Sequence, residues 1–269
     1  MFGQVVSANV VGYQNINVPQ QGYTWTLATV EQIGVTDENQ TMDMFQFPSD
    51  IMLGASNGIL LEFYDENSTP IGRYYYLDEV TATEAEGLSK GGWYDADFYD
   101  ENYYFIDECY AGDAKIPFGK GVIITSGEFQ DLTLTFAGQV VTGSKTFDVP
   151  MQGYTWTGNC TPIDLKMKDM AIPAEFVLGS SSGILFEFYD EASNPIGRYY
   201  YLDEFTAIEV EGVSYAGWYD ANFYDENYYF IDDVFANEET MPSAKMCIIT
   251  SSELADTTIT VPMALPAAE

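Results

Sequence analysis

Residues 58–80 read GILLEFYDENSTPIGRYYYLDEV, and residues 183–205 read GILFEFYDEASNPIGRYYYLDEF. A block this long, repeated almost letter for letter, requires a unit that the chain builds twice. Within the block, Ile59, Leu61 and Phe63 alternate with Leu60, Glu62 and Tyr64. That period of two is the mark of a strand with two different faces. Glu66, Asn67, Ser68, Thr69 and Pro70 supply turn chemistry, and an aromatic run follows, so the block predicts a β-hairpin. Pairing Tyr64 with Ile71 places Glu62 opposite Arg73, and the second copy places Glu187 opposite Arg198. These are the chain's two arginines. A cross-strand ion pair accounts for them without any activity; a catalytic glutamate is the sharper alternative and needs a second acid at a set distance.

The duplication reaches well beyond the hairpin. GYTWT begins at Gly22 and again at Gly153, and Pro70, Trp93 and Pro117 return at Pro195, Trp218 and Pro242. Equivalent positions are 131 apart at GYTWT and 125 apart later, so the second copy lacks six residues after that strand. Length variation there predicts a surface excursion, with a short helix over 38–45 in the first copy. GQVV occurs at Gly3 and Gly138 and is read as the start of each copy, giving domains 1–138 and 139–269. Strands ending in Val-Pro follow (16–19 and 147–150). In GYTWT, Tyr23 and Trp25 share one face and Thr24 and Thr26 the other, with Trp25 and Trp156 expected in the core; an exposed sugar platform is the rival reading. Strands are also predicted over 81–86, 206–211 and 132–136, the last running without a linker into the second copy. Pro262 and Pro266 are expected to close a sheet edge. The fold class expected is all-β: two tandem homologous domains, each sandwich-like or barrel-like.

Composition narrows function by exclusion. Forty-two acidic against 9 basic residues give a net charge of −33, and histidine is absent. Such a surface repels phosphate backbones and anionic lipid, so nucleic acid and membrane insertion are not expected. Without histidine, a His-assisted serine or cysteine nucleophile is excluded. No Walker or dinucleotide loop follows a strand. No run of apolar residues is long enough to cross a bilayer as a helix. The opening Met-Phe-Gly-Gln has no basic or apolar segment and is not an intact signal peptide. Cys109, Cys160 and Cys247 have no cysteine counterparts in the other copy, which points to free thiols; Cys160 with Cys247 is the alternative pairing.

The block GWYDADFYDENYYFID (92–107) returns as GWYDANFYDENYYFID (217–232). Its carboxylates and amides, Asp95, Asp97, Asp100 and Glu101 with Asp220, Asn222, Asp225 and Glu226, are candidate ligands for Ca²⁺, which takes six to eight oxygens. A solvated acidic turn explains the same residues without a metal. The tyrosine runs 74–76 and 103–104 put rings on both faces of a sheet, which favours an interface on one of them.

Residues 5–25 (VVSANVVGY, a Val-Pro turn, GYTWT) and 117–156 (PFGKGVIITS, LTFAGQVVTGS, then GYTWT again) are similar to uncharacterised secreted bacterial β-repeat proteins. The resemblance covers the ends of each unit and not the acidic middle. It implies secretion or cell-surface display and brings no catalytic residues. The expectation is therefore an extracellular, non-enzymatic structural protein. It would assemble head-to-tail into a fibre, sheath or surface layer, with Ca²⁺ as the candidate ion. A carbohydrate-binding or adhesive module contacting extracellular polysaccharide is the first alternative. An acid-pair glycoside hydrolase is the second.

Overall fold

The computed structural model describes residues 11–27, 29–31, 41–44, 58–65, 67–97, 100, 102, 104–116, 119–140, 143–161, 163–170, 172, 184–223, 229–251 and 255–263. The protein is all-β, and each copy is a sandwich of one five-stranded antiparallel sheet and one small sheet. In the first copy the strands are β1 (Val11–Val18), β2 (Tyr23–Leu27), β3 (Val30–Glu31), β4 (Ile59–Tyr64), β5 (Pro70–Leu77), β6 (Gly92–Asp95), β7 (Gly121–Ser126) and β8 (Leu132–Val140). The second copy has β9 (Gly143–Val149), β10 (Tyr154–Gly158), β11 (Leu165–Lys166), β12 (Ile184–Tyr189), β13 (Pro195–Leu202), β14 (Gly217–Asp220), β15 (Thr240–Met241), β16 (Met246–Ser251) and β17 (Thr257–Met263). The large sheets run β2-β7-β4-β5-β6 and β10-β16-β12-β13-β14, the small ones packed on them are β1-β8-β3 and β9-β17, and β11 pairs with β15 as a further two-stranded ribbon of the second copy.

The first core lies between its two sheets. Ile16, Val18, Leu132 and Leu134 from the small sheet meet Ile59, Leu61, Phe63, Trp93, Val122 and Ile124 from the large one. The second core repeats this with Phe147, Val149, Ile259 and Val261 against Phe186, Phe188, Trp218 and Ile249. Burying each such side chain contributes about 1.5–3 kcal/mol, which orients the alternating strands. The Pro19–Gly22 turn that launches β2 is tight: Gly22 donates its amide to the Pro19 carbonyl at 3.2 Å. A Cβ on Gly22 would lie 2.7 Å from Pro19 Cγ, and Gly153 repeats this against Pro150.

The hairpin register matches the sequence reading at its centre, with Glu62 opposite Arg73 and Glu187 opposite Arg198. At its end it differs: Tyr64 pairs with Pro70, because a bulge after Phe63 leaves Ile71 as the extra residue. A bulge adds local twist and suits a strand end beside a turn.

Two expected strands are helical instead. Thr81–Ala85 and Thr206–Glu211 form π-helical turns. Asp78 is the cause in the first copy: its carboxylate accepts from the Val80 and Thr81 amides at 2.8 and 3.0 Å and from the Thr81 hydroxyl at 2.6 Å. Asp203 accepts from the Thr206 amide in the same way. Capping satisfies amides that a new helical turn leaves open. Gly87 and Gly212, at φ 75° and 73°, release the chain afterwards.

The GYTWT strand is turned inside out relative to expectation. Thr24 and Thr26 are buried on the core side, while Trp25 and Trp156 are half-buried on the other face. Of the four threonines on this side in the two copies, three have bonded hydroxyls: Thr24 donates to the Asn17 carbonyl at 2.7 Å, Thr155 to that of Asp148 at 2.7 Å and Thr26 to that of Ala244 at 3.2 Å, while the Thr157 hydroxyl is buried with no partner among the described residues. Strand β8 runs on through Gly138 and Gln139 to Val140, paired with β1 and β3, so these GQVV residues lie in the first copy's small sheet. The helix expected over 38–45 is found as a single 3-10 turn, Met42–Met44, preceded by Thr41 in a bridge to Lys115, and 38–40 and 45 lie outside the described residues. All three cysteines are free thiols, Cys160 and Cys247 both buried.

Candidate functional site

The acidic loops come first because the sequence singles them out. Asp95 accepts from the Asp97 amide at 2.9 Å. Asp97 reaches back to the hairpin and holds Arg73 Nη1 at 2.9 Å. Asp100 accepts from the Asn102 and Tyr104 amides at 2.8 and 2.9 Å. These bonds, the Tyr104 amide foremost, hold the Asp100 carboxyl below the usual carboxylate range. Asp220 accepts from both the backbone and the side-chain amide of Asn222 at 2.8 and 3.0 Å. Glu101, Asp225 and Glu226 lie outside the described residues. Among the described residues, no three acidic, cysteine or histidine side chains gather as a metal group. The carboxylates that are described spend their oxygens on turns and on Arg73.

Glu62 holds Arg73 Nε at 2.9 Å, and Glu187 holds Arg198 Nε at 2.7 Å. In the first copy Asp97 makes this a three-member cluster; in the second, Asn222 stands at that place and Arg198 keeps its glutamate. The Glu128 carboxyl has a raised pKa, with burial the main cause and the Asp78 charge second. It is 2% exposed. A general acid must reach substrate, and Glu128 is sealed from it.

Trp93 and Trp218 are each 1% exposed, so neither can stack on a sugar. They pack on Tyr76 and Tyr201 within the cores, ring centroids 5.3 Å apart in both copies. Trp25 and Trp156 do something the sequence did not indicate. They meet each other at 5.2 Å across the two copies, with Tyr64 on Trp156 at 5.4 Å and Tyr189 on Trp25 at 6.0 Å. Each copy contributes the same two residues, so the seam is nearly two-fold. Leu27, Cys160 and Met246 are buried against it. The Trp25 amide donates to the Glu191 carbonyl at 3.1 Å, closing the free edge of β2 with the hairpin turn of the other copy.

The far edges of the large sheets are also covered. Ala111 donates to the Trp93 carbonyl at 2.8 Å and Ala236 to that of Trp218 at 2.7 Å. The small sheets differ. Strand β8 has β1 on one side and β3 on the other at Gln139 and Val140, whereas β17 has β9 as its one partner among the described residues. Strands β1, β8 and β17 contain no charged residue (VGYQNINV, LTLTFAGQV and TTITVPM) in a chain carrying 42 acids. Their solvent faces are hydroxyls and amides bonded across the strands: Thr135 to Asn15 at 2.9 Å, Thr133 to Asn17 at 3.2 Å, and Thr146 with Thr260 at 3.0 Å. A cavity of about 450 Å³ opens where the first hairpin turn approaches this sheet, lined by Asn67, Asp148, Pro150, Asp256 and Thr258. Compared with protein-family models, with curated proteins and with solved structures, the chain matches none.

Proposed function

We propose that the protein is a secreted or cell-surface structural protein that assembles head-to-tail through its small sheets into a fibre, sheath or surface layer. The observation that carries this reading is the uncharged β17 edge, with one strand partner among the described residues. Exposed strand edges are normally guarded by charge, proline, bulges or a covering segment. Here covering segments lie on β2, β6 and β14 of the large sheets, whereas among the described residues β17 has no cover and no charge, only Pro262 near its end, in a chain otherwise dense in carboxylates. A strand from a neighbouring molecule, residues 3–6 in this proposal, would add to β17 by main-chain hydrogen bonding. That contact joins unlike surfaces, so it need not close, and repeating it makes a filament. Ca²⁺ or high salt would act between molecules, relieving the repulsion of −33 per chain. The role is non-catalytic. Extracellular polysaccharide is a candidate second partner, at the cavity rimmed by Asp148, Asp256 and Asn67.

The test is electron microscopy and sedimentation of the full chain, the chain lacking residues 1–10, and Thr260→Lys, in 1 M NaCl and in Ca²⁺. Thr260→Lys puts a charge on the solvent face of β17 and leaves the core untouched. Both altered chains should lose filaments while keeping the parent melting temperature. Undiminished filaments in both would reject strand addition at β17.

A further inference from the structure

We propose that the second copy alone carries a docking surface for a cationic polypeptide segment of another protein, built on the face of its π-helical turn. Both copies bury the same inner residues beneath this turn: Leu77, Ala82 and Tyr94 with Phe105 in the first, Leu202, Ala207 and Tyr219 with Phe230 in the second. The outer residues differ, and all in one direction. Val80 becomes Phe205, Thr83 becomes Ile208, Lys90 becomes Tyr215 and Tyr110 becomes Phe235. Phe205 is 66% exposed and Tyr215 60%.

The clearest contrast is at the Lys90 position. In the first copy Lys90 Nζ sits 3.3 Å from the centroid of the Tyr110 ring, and the Tyr110 hydroxyl donates to Asp43 at 2.9 Å. Charge and hydrogen bonding seal that corner in polar form. In the second copy Tyr215 packs on Phe235 with centroids 5.7 Å apart, while Phe235 keeps on Tyr219 (5.3 Å) the contact that Tyr110 makes with Tyr94 (5.6 Å). The counterpart of Asp43 is Lys168, which turns away to Glu238. In the first copy the same turn folds with Val80, Thr83 and Lys90 at these places, Val80 itself 61% exposed, so it does not need the larger apolar groups of the second. Their presence on one copy therefore calls for something outside the turn, and exposed aromatic surface rimmed by charge marks association sites.

The occupant follows from the rim. Glu204, Glu209, Asp232 and Asp233 are exposed around the patch. A partner must place lysine or arginine against them and apolar side chains on Phe205, Ile208 and Tyr215. A second copy of this chain does not supply that. Of its nine cationic residues, Arg73, Arg198, Lys168 and Lys245 are held in ion pairs, Lys166 donates to the Glu238 carbonyl and Lys90 lies on Tyr110, and the 42 acids that outnumber them give a net charge of −33 that sets two copies repelling.

The experiment measures fluorescence anisotropy at 0.15 M salt with a labelled amphipathic peptide that has leucine at i, i+3, i+4 and i+7 and lysine elsewhere. A control peptide carries serine for each leucine at the same charge. The proteins are the full chain, the variant Phe205→Val/Ile208→Thr, and the reciprocal variant Val80→Phe/Thr83→Ile/Lys90→Tyr/Tyr110→Phe. The leucine peptide should bind the full chain at least tenfold more tightly than the serine peptide. The Phe205→Val/Ile208→Thr variant, unchanged in net charge, should lose at least tenfold, and the reciprocal variant should gain a second site. Equal binding of the two peptides, or equal binding by the parent and the Phe205→Val/Ile208→Thr variant, overturns the proposal, since only bulk charge would then be at work. So does sedimentation showing that the patch pairs with itself.

Discussion

At the residue scale, two serines and one glutamate sit where their chemistry is poorly served. Ser68 and Ser193 occupy the hairpin turns at φ 60° and 63°, a left-handed conformation that costs a side-chain-bearing residue energy. Their hydroxyls are buried without a partner. Glycine removes both penalties and gives back part of the gain as chain entropy. Ser68→Gly and Ser193→Gly should each stabilise the protein by about 1 kcal/mol, read as a higher denaturant midpoint at constant slope. Glu128 is the third case. Its folded pKa stands above the ordinary 4.5, so the folded state binds its proton more tightly than the unfolded state does. The linked stability is present in acid and is lost as pH rises through the folded pKa. Glu128→Gln should therefore raise the melting temperature at pH 7, and the advantage should shrink as the pH is lowered toward 4. A constant advantage across that range would point to packing instead.

At the element scale, the π-helical turn depends on its cap. Asp78→Ala removes three hydrogen bonds and should cost about 1–2 kcal/mol, measured by chemical denaturation, with Asp203→Ala showing a parallel loss in the second copy. The cap also shows where sequence reading stopped short. An aspartate three residues before a threonine is a helix-start signal, but a threonine-rich stretch after a hairpin reads equally well as a third strand. The hairpin itself was legible, including the Glu62–Arg73 register, because alternation and turn chemistry act within a few residues. GYTWT was half legible. Period two tells which residues share a face but not which face is inward, and here Thr24 and Thr155 go in with their hydroxyls donating to carbonyls of the small-sheet strands β1 and β9. The acidic loop was legible as a loop. That Asp97 would serve Arg73 depends on β5 lying beside β6, a relation that no local pattern carries. The Trp25–Trp156 seam depends on one copy meeting the other, which a repeat announces in number but not in orientation.

At the scale of the whole molecule, buried tyrosines set the alkaline limit. Burial pushes Tyr94 and Tyr219 up to about 12, with Asp107 and Asp232 the next causes, and burial together with Asp43 does the same for Tyr110. The folded state thus keeps phenol protons that an unfolded chain gives up near the ordinary value of 10. Stability from these groups is full below pH 10 and is lost as pH rises from 10 to 12. Both copies should unfold together in that window, because the seam ties them, and circular dichroism should show one transition. Replacing Tyr94 and Tyr219 with Phe should flatten the loss and cost about 1 kcal/mol per hydroxyl at neutral pH, since each donates to a backbone carbonyl at 2.7 Å.

The indoles of Trp25 and Trp156, 5.2 Å apart and tilted by 31°, stand close enough for their electronic transitions to mix. The other two tryptophans are each enclosed by their own copy, Trp93 against Tyr76 and Trp218 against Phe186 and Tyr201. The chain thus carries its own optical gauge. A split ultraviolet band would report the halves being clasped, and its collapse under load, dilution or truncation would time their parting without any attached dye.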